Sequence, residues 1–283
     1  MRLTAHHLLG FLLLASACTE PGPTEPEVTS THALLRVERS SQASGLSDPS
    51  GNAFAAVVRL PELADPEPLL RLSGNTPSLP ALGQCMTANH EHDAAAAGEL
   101  ARAEFLDAGD VLLGANGAQS LLAPHPLPLE VLGKVYTSRD RASEPLPSGA
   151  AYLLKTTGSD QLPSLELRVQ APEELRGVAV AGAELSQLSS VNSAAEVQLA
   201  WQAGDARDLV YVEVNGSAEA GSLGVCAFRD ADGHGALPRG LFGATGAGSL
   251  SFHRLREVAA DVPALDGAEV RFDFALTAQV SYN

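Results

Sequence analysis

Aromatic residues make up only 5% of this sequence, cysteine occurs three times, and just two residues, Lys134 and Lys155, are lysines. Once the strands have claimed their share, so few rings leave no evident platform for stacking a sugar. The signatures G-x-S-x-G, H-E-x-x-H and S-x-x-K are absent, which removes the usual sequence marks of a serine hydrolase, a zinc protease or a penicillin-binding enzyme. The glycine-rich stretch Gly240–Ser249 (GLFGATGAGS) lacks both a P-loop lysine and dinucleotide-binding spacing, so it reads as a loop. Positive charge is also scarce: 18 lysines and arginines stand against 34 carboxylates, a formal charge of −16. Such a chain repels phosphate backbones, so no nucleic-acid partner is expected, and an acidic surface suffices to explain the charge as a matter of solubility. After the first residues no apolar run approaches the roughly 20 residues that a membrane-crossing helix needs.

What is present begins at the N-terminus. Arg2 is followed by the uncharged run LLGFLLLA, Leu8 to Ala15, and by small residues up to Ala17. The run is too short to span a bilayer and has the build of a signal peptide, residues 1–17. Next comes Cys18, then TEPGPTEPEVT from Thr19 to Thr29, polar, proline-rich and suited to a tether over residues 18–32. Small residues immediately before a cysteine resemble the bacterial lipobox, with Ala15 where leucine is usual. The resemblance implies that Cys18 is alkylated with diacylglycerol, that the signal is cut before it, and that the new amine is acylated. It also implies a membrane partner through the lipid anchor, and Thr19 rather than aspartate after the cysteine implies the outer membrane of a Gram-negative cell. Two or three acyl chains would anchor stably, at about 0.8 kcal/mol per buried methylene.

The rest of the chain alternates with a period of two residues, which predicts strands. Val270, Phe272, Phe274, Leu276, Ala278, Val280 and Tyr282 fall on one face, with Arg271, Asp273, Thr277, Gln279 and Ser281 on the other. This is expected to be a long strand with its back in water. Further strands are expected at 34–39, 53–60, 110–113, 151–155, 165–169, 195–201, 208–214, 223–228 and 249–255. Residues 99–107 are ambiguous with a short helix, and His125 between Pro124 and Pro126 reads as a surface turn. Closely spaced turn signals favour an all-β fold of two antiparallel β-sandwich-like domains, 33–171 and 172–283, divided at Ala171-Pro172. APEELRGVAVAG followed by VQLAWQAGDARDLVYVEV resembles fibronectin type III and immunoglobulin-like modules, which implies a core role for Trp201. LDAGDVLLGANG, SGAAYLLKTTGSDQLPSLELRVQAP and GVCAFRDADGHGALP together resemble β-rich lipoproteins of GC-rich Gram-negative bacteria, a likeness that supplies architecture and no mechanism.

Three sets of residues invite chemistry. Cys85 and Cys226 could pair in an oxidising compartment, or Cys226 could be a small core residue within LGVCAF. Asp230, Asp232, His234 and Gly235 partly match a calcium loop, but His234 offers nitrogen where a hard cation wants oxygen, and Leu241 stands where a bidentate glutamate belongs. A polar turn needs only Gly233 and Gly235. His90 and His92 point the same way on an extended chain and could grip zinc or copper, although no third ligand is identifiable. The expectation is a non-catalytic envelope module with a protein or glycan partner and no cofactor, the alternative being a calcium- or zinc-dependent enzyme or sensor.

Overall fold

The computed structural model describes residues 28–61, 66, 69, 73, 77–87, 103–126, 133–138, 146–216, 222–242 and 245–283. The signal segment, Cys18, and His90 with His92 lie outside them. Among the described residues the fold is nearly all β, with no helix of seven residues or more. The strands are β1 (Thr29–Gln42), β2 (Ser50–Pro61), β3 (Gln84–Thr87), β4 (Glu104–Leu106), β5 (Val111–Ala115), β6 (Ala118–Pro126), β7 (Lys134–Thr137), β8 (Ala151–Thr156) and β9 (Glu166–Gln170). They continue with β10 (Ala179–Val180), β11 (Ala183–Glu184), β12 (Ser190–Val191), β13 (Val197–Ala200), β14 (Asp208–Asn215), β15 (Ser222–Arg229), β16 (His234–Leu237), β17 (Gly246–Ala260) and β18 (Gly267–Tyr282).

A 14-stranded sheet runs β3-β15-β14-β17-β18-β1-β2-β7-β6-β5-β8-β9, with β12 joining β18 and β4 joining β2 at the side. A four-stranded sheet, β11-β10-β13-β16, forms a second layer. Among the described residues all pairings are antiparallel except β1 with β18 and β12 with β18. The antiparallel hairpin β17–β18 is the spine, paired without a break from Gly246↔Tyr282 to Ala260↔Ala268. Its length follows from the uninterrupted alternation read in the sequence, which lets one face stay apolar along its whole course.

That inner face serves two cores. At one end Val270, Phe272 and Phe274 of β18 pack with Leu35 and Val37 of β1, Tyr152 of β8 and Leu167 of β9. At the other, Ala278, Val280 and Tyr282 pack with Val212, Phe252 and, from the opposing small sheet, Val180, Leu199 and Leu237. Trp201, just past β13, belongs to this second core, and its indole N–H donates to the carbonyl of Asp230. Burial of each such large apolar side chain contributes about 1.5–3 kcal/mol.

Between the cores the apolar phase of β17 is interrupted at Arg254 and Arg256, which lie opposite Phe274 and Phe272. Both guanidinium groups are buried. Arg256 clasps Asp208 at 2.6 and 2.9 Å and donates to the carbonyls of Gln170 and Ala171. Arg254 donates to Asp230 at 2.8 Å and to the carbonyls of Glu173, Glu174 and Gln202. Two arginines thus fasten the 170–174 connector to the spine.

The described structure departs from the expected local elements in places. Strand β1 starts at Thr29, earlier than the expected Leu34, and residues 104–106 of the ambiguous segment are strand. His125 lies in β6, opposite Val135 of β7, and not in a turn. The prolines are tolerated because β6 leaves β5 after Leu122, so this stretch has a neighbour on one side only.

Candidate functional site

The outer face of the same spine is solvated at Gln279 and Ser281, as expected, but buried at Arg271 and Asp273. Three residue rows cross it. Glu213, Ser251 and Thr277 are opposite one another on β14, β17 and β18. The next row is Tyr211, His253, Ala275, Ser40 and Ser50, reaching β1 and β2. The third is Leu209, Leu255, Asp273, Glu38 and Asn52. Small side chains in the middle row, Ala275 above all, leave a groove of about 360 Å³ walled by Glu38, Tyr211, Glu213, His253 and Asp273.

Asp273 is the hub. It is buried, accepts from Tyr211 Oη at 2.5 Å, and meets His253 Nδ1 at 2.8 Å. The Tyr211 and His253 rings stack with centroids 4.2 Å apart, which fixes the imidazole plane. His253 Nε2 faces Glu213 across 3.8 Å and makes no hydrogen bond. Ser251 bonds with Thr277 at 2.9 Å rather than with the imidazole. Across the groove Asn52 donates to Glu38 at 3.1 Å and accepts from Arg36.

Burial works against a charged imidazole at His253, but Asp273, Glu213 and Glu38 outweigh it and hold its pKa above 6.5. Burial also pushes the Glu213 carboxyl up; His253 and Asn215 oppose the shift, and Asp273 adds to it. Both pKa values are raised on folding, so each group adds stability at low pH and loses it as pH rises. The His253 contribution is complete below about pH 6.5 and fades above it. Unfolding free energy is therefore expected to fall above neutrality more steeply in the natural chain than in His253→Gln, as urea titrations from pH 5 to 9 would show. Parallel profiles would refute the assignment.

Those residues singled out in the sequence that are described lie elsewhere. Cys85 and Cys226 form a disulfide between directly opposed positions of β3 and β15. Asp230, Asp232 and His234 are not gathered on one cation. Asp230 is fully buried and spends its carboxylate on Arg254, while Asp232 and His234 are exposed. Burial raises the Asp230 pKa against the pull of Arg254. Its Oδ2 lies beneath Gly204, where an added Cβ would sit 2.1 Å away. His234 Nδ1 meets the Asp232 carbonyl at 2.7 Å, and Gly233 at φ 66° closes the turn. Among the described residues no three His, Cys, Asp or Glu side chains are placed to hold a metal.

The groove residues escaped the sequence reading because a polar residue at alternate strand positions is the ordinary mark of a solvated face. The available signal was their number: Glu213, Ser251, His253, Asp273 and Glu38 sit at such positions on four separate strands.

No family model matches the chain, and no curated protein matches it. Among solved structures, the Fcho1 Mu homology domain of Danio rerio with bound Eps15 peptide is similar at 11% identity and a TM-score of 0.27, over 90% of this chain and 97% of that one. A 1.5-MDa bacterial ice-binding adhesin, described for host cell surface retention, is similar at 14% identity and a TM-score of 0.19, over 90% of this chain and 66% of that one. A Ca2+-stabilized adhesin of an Antarctic bacterium that binds ice gives 14% identity and a TM-score of 0.19, over 91% and 66%. These likenesses reach no further than a β-rich fold.

Proposed function

We propose that the chain is a lipid-anchored envelope protein, attached through Cys18, that works as a non-catalytic binding module and receives its ligand in the outer-face groove. The observation that carries this reading is the groove itself: an open, polar depression of about 360 Å³ on a rigid five-strand surface. Its histidine is locked by Asp273 and Tyr211, and the neighbouring Ser251 hydroxyl bonds to Thr277 instead of to the imidazole. A site on strands holds its groups in fixed positions, which suits recognition. The lipobox-like segment ending at Cys18 supports the anchor, and the tether would hold the domain clear of the bilayer.

The test is photocrosslinking in intact cells. A photoreactive side chain replaces Ser50, exposed at the groove rim, or Gln198, exposed on the small sheet as a control. A recurring adduct from Ser50 and none from Gln198 is the expected result. Equal labelling at both positions, or turnover of a substrate by the purified protein, would overturn the proposal.

A further inference from the structure

The groups lining the groove are unevenly satisfied. Glu38 has Asn52 and Arg36, and Asp273 has Tyr211 and His253. Glu213 is different. Its side chain is 19% exposed and hydrogen-bonds with Asn215, but among the described residues its one ion-pair partner is His253 Nε2 at 3.8 Å, too far for a hydrogen bond. That nitrogen is buried with no hydrogen-bond partner of its own. A nitrogen left so in a protein interior calls for a partner, and the Glu213 carboxylate beside it has no closely paired cation among the described residues. Beside them the Ser251 and Thr277 hydroxyls bond to each other, and each keeps a lone pair to offer. Ala275 provides floor space in the next row.

We propose that the groove binds an organic cation, a primary ammonium or guanidinium group, seated over Ala275 between Glu213 and the hydroxyls of Ser251 and Thr277. The inference rests on the binding-module reading and narrows it to a ligand class. An ammonium supplies three donors to one carboxylate and two hydroxyls, a charge-assisted set. An anion would meet the carboxylates of Glu38, Glu213 and Asp273. A neutral polyol would leave the charge of Glu213 uncompensated. The chain's net charge of −16 favours approach by a cation.

Protons compete for the same place. The groups facing His253 are Tyr211 and Glu213 from β14, Asp273 from β18 and Glu38 from β1, with Arg36 beside Glu38. A protonated imidazole neutralises Glu213 and repels a second cation. Entry of the ligand therefore releases the Nε2 proton to solvent, and affinity rises with pH through the titration of His253.

The probe is agmatine, which carries both cationic groups, titrated calorimetrically into the full mature chain at about pH 5.5 and about pH 7.5, with glucose as the neutral control. Saturable 1:1 binding is expected, at least about tenfold tighter at the higher pH. Glu213→Gln should weaken it by about tenfold or more, the loss of one charge-assisted contact. Ala275→Leu fills the floor without altering charge and should abolish binding, which keeps the proposal testable if Glu213→Gln misfolds. His253→Gln should bind with little dependence on pH. Absence of saturable binding by agmatine, undiminished binding by Ala275→Leu, or preference for glucose would overturn the cation assignment. If agmatine fails while the Ser50 adduct recurs, only the ligand class falls; if both fail, the binding reading falls with it.

Discussion

Arg254→Ala is expected to lower the unfolding free energy by about 3–5 kcal/mol, the range for removing one partner of a buried ion pair. Arg254 is 3% exposed and Asp230 not at all, so the substitution strands a carboxylate where water cannot reach it. It also removes the donors to the carbonyls of Glu173, Glu174 and Gln202, loosening the connector between the two cores. The loss comes mainly from the orphaned charge, not from the pair's intrinsic worth. Replacing both partners by apolar residues, Arg254→Met with Asp230→Leu, is therefore expected to recover much of it. Urea unfolding of the three proteins decides the matter. An Arg254→Ala variant within about 1 kcal/mol of the natural chain would show that the buried charge is not confined as described.

Removal of the disulfide has a comparable effect by a different route. Cys85 and Cys226 are 141 residues apart in sequence, and closing so long a loop is worth about 5 kcal/mol in the chain-entropy treatment of the unfolded state. The double replacement Cys85→Ala with Cys226→Ala is expected to cost about 4–5 kcal/mol on that basis. Its local signature should be sharper than the global one. Strand β3 is held to β15 by four residue pairs at the sheet edge, with Leu79 and Met86 against a small cluster of Tyr211, Val225 and Leu255. Hydrogen exchange at residues 84–87 should accelerate before the cores respond. A variant unchanged in both stability and exchange would mean that β3 is held by its backbone pairing and this cluster alone.

How much of this was legible beforehand varied with the kind of interaction. The strand at 270–282 declares itself because seven apolar residues in strict alternation have no other economical use. Strands 151–155, 208–214 and 249–255 were equally plain. Strand β6 was not, since two prolines argue against a ladder unless one knows that the strand has changed neighbours. The groove was invisible for a related reason: Arg271 and Asp273 look like solvent-facing residues of an amphipathic strand, yet they are 4% and 5% exposed. Their burial comes from side chains on β1, β14 and β17, and strand adjacency is not written in any local pattern. The arginine seam was closer to the surface of the text. Leu250, Phe252, Arg254, Arg256 and Val258 share one face of β17, and two charges inside that series mark a place where the interior itself must be polar.

The shared spine also governs when the molecule can fold. Strand β18 gives Phe272 and Phe274 to one core and Val280 and Tyr282 to the other, and it pairs in parallel with β1 from the opposite end of the sequence. During synthesis on the ribosome neither core can close until residues 267–282 have emerged, however long the earlier strands have waited. The topology therefore makes folding a late, concerted event with large loops to close, the regime of milliseconds to seconds and not of microseconds. Until then β1 and β17 keep open the edges that β18 will cover, and the chain depends on its strong negative charge to keep those edges from finding one another.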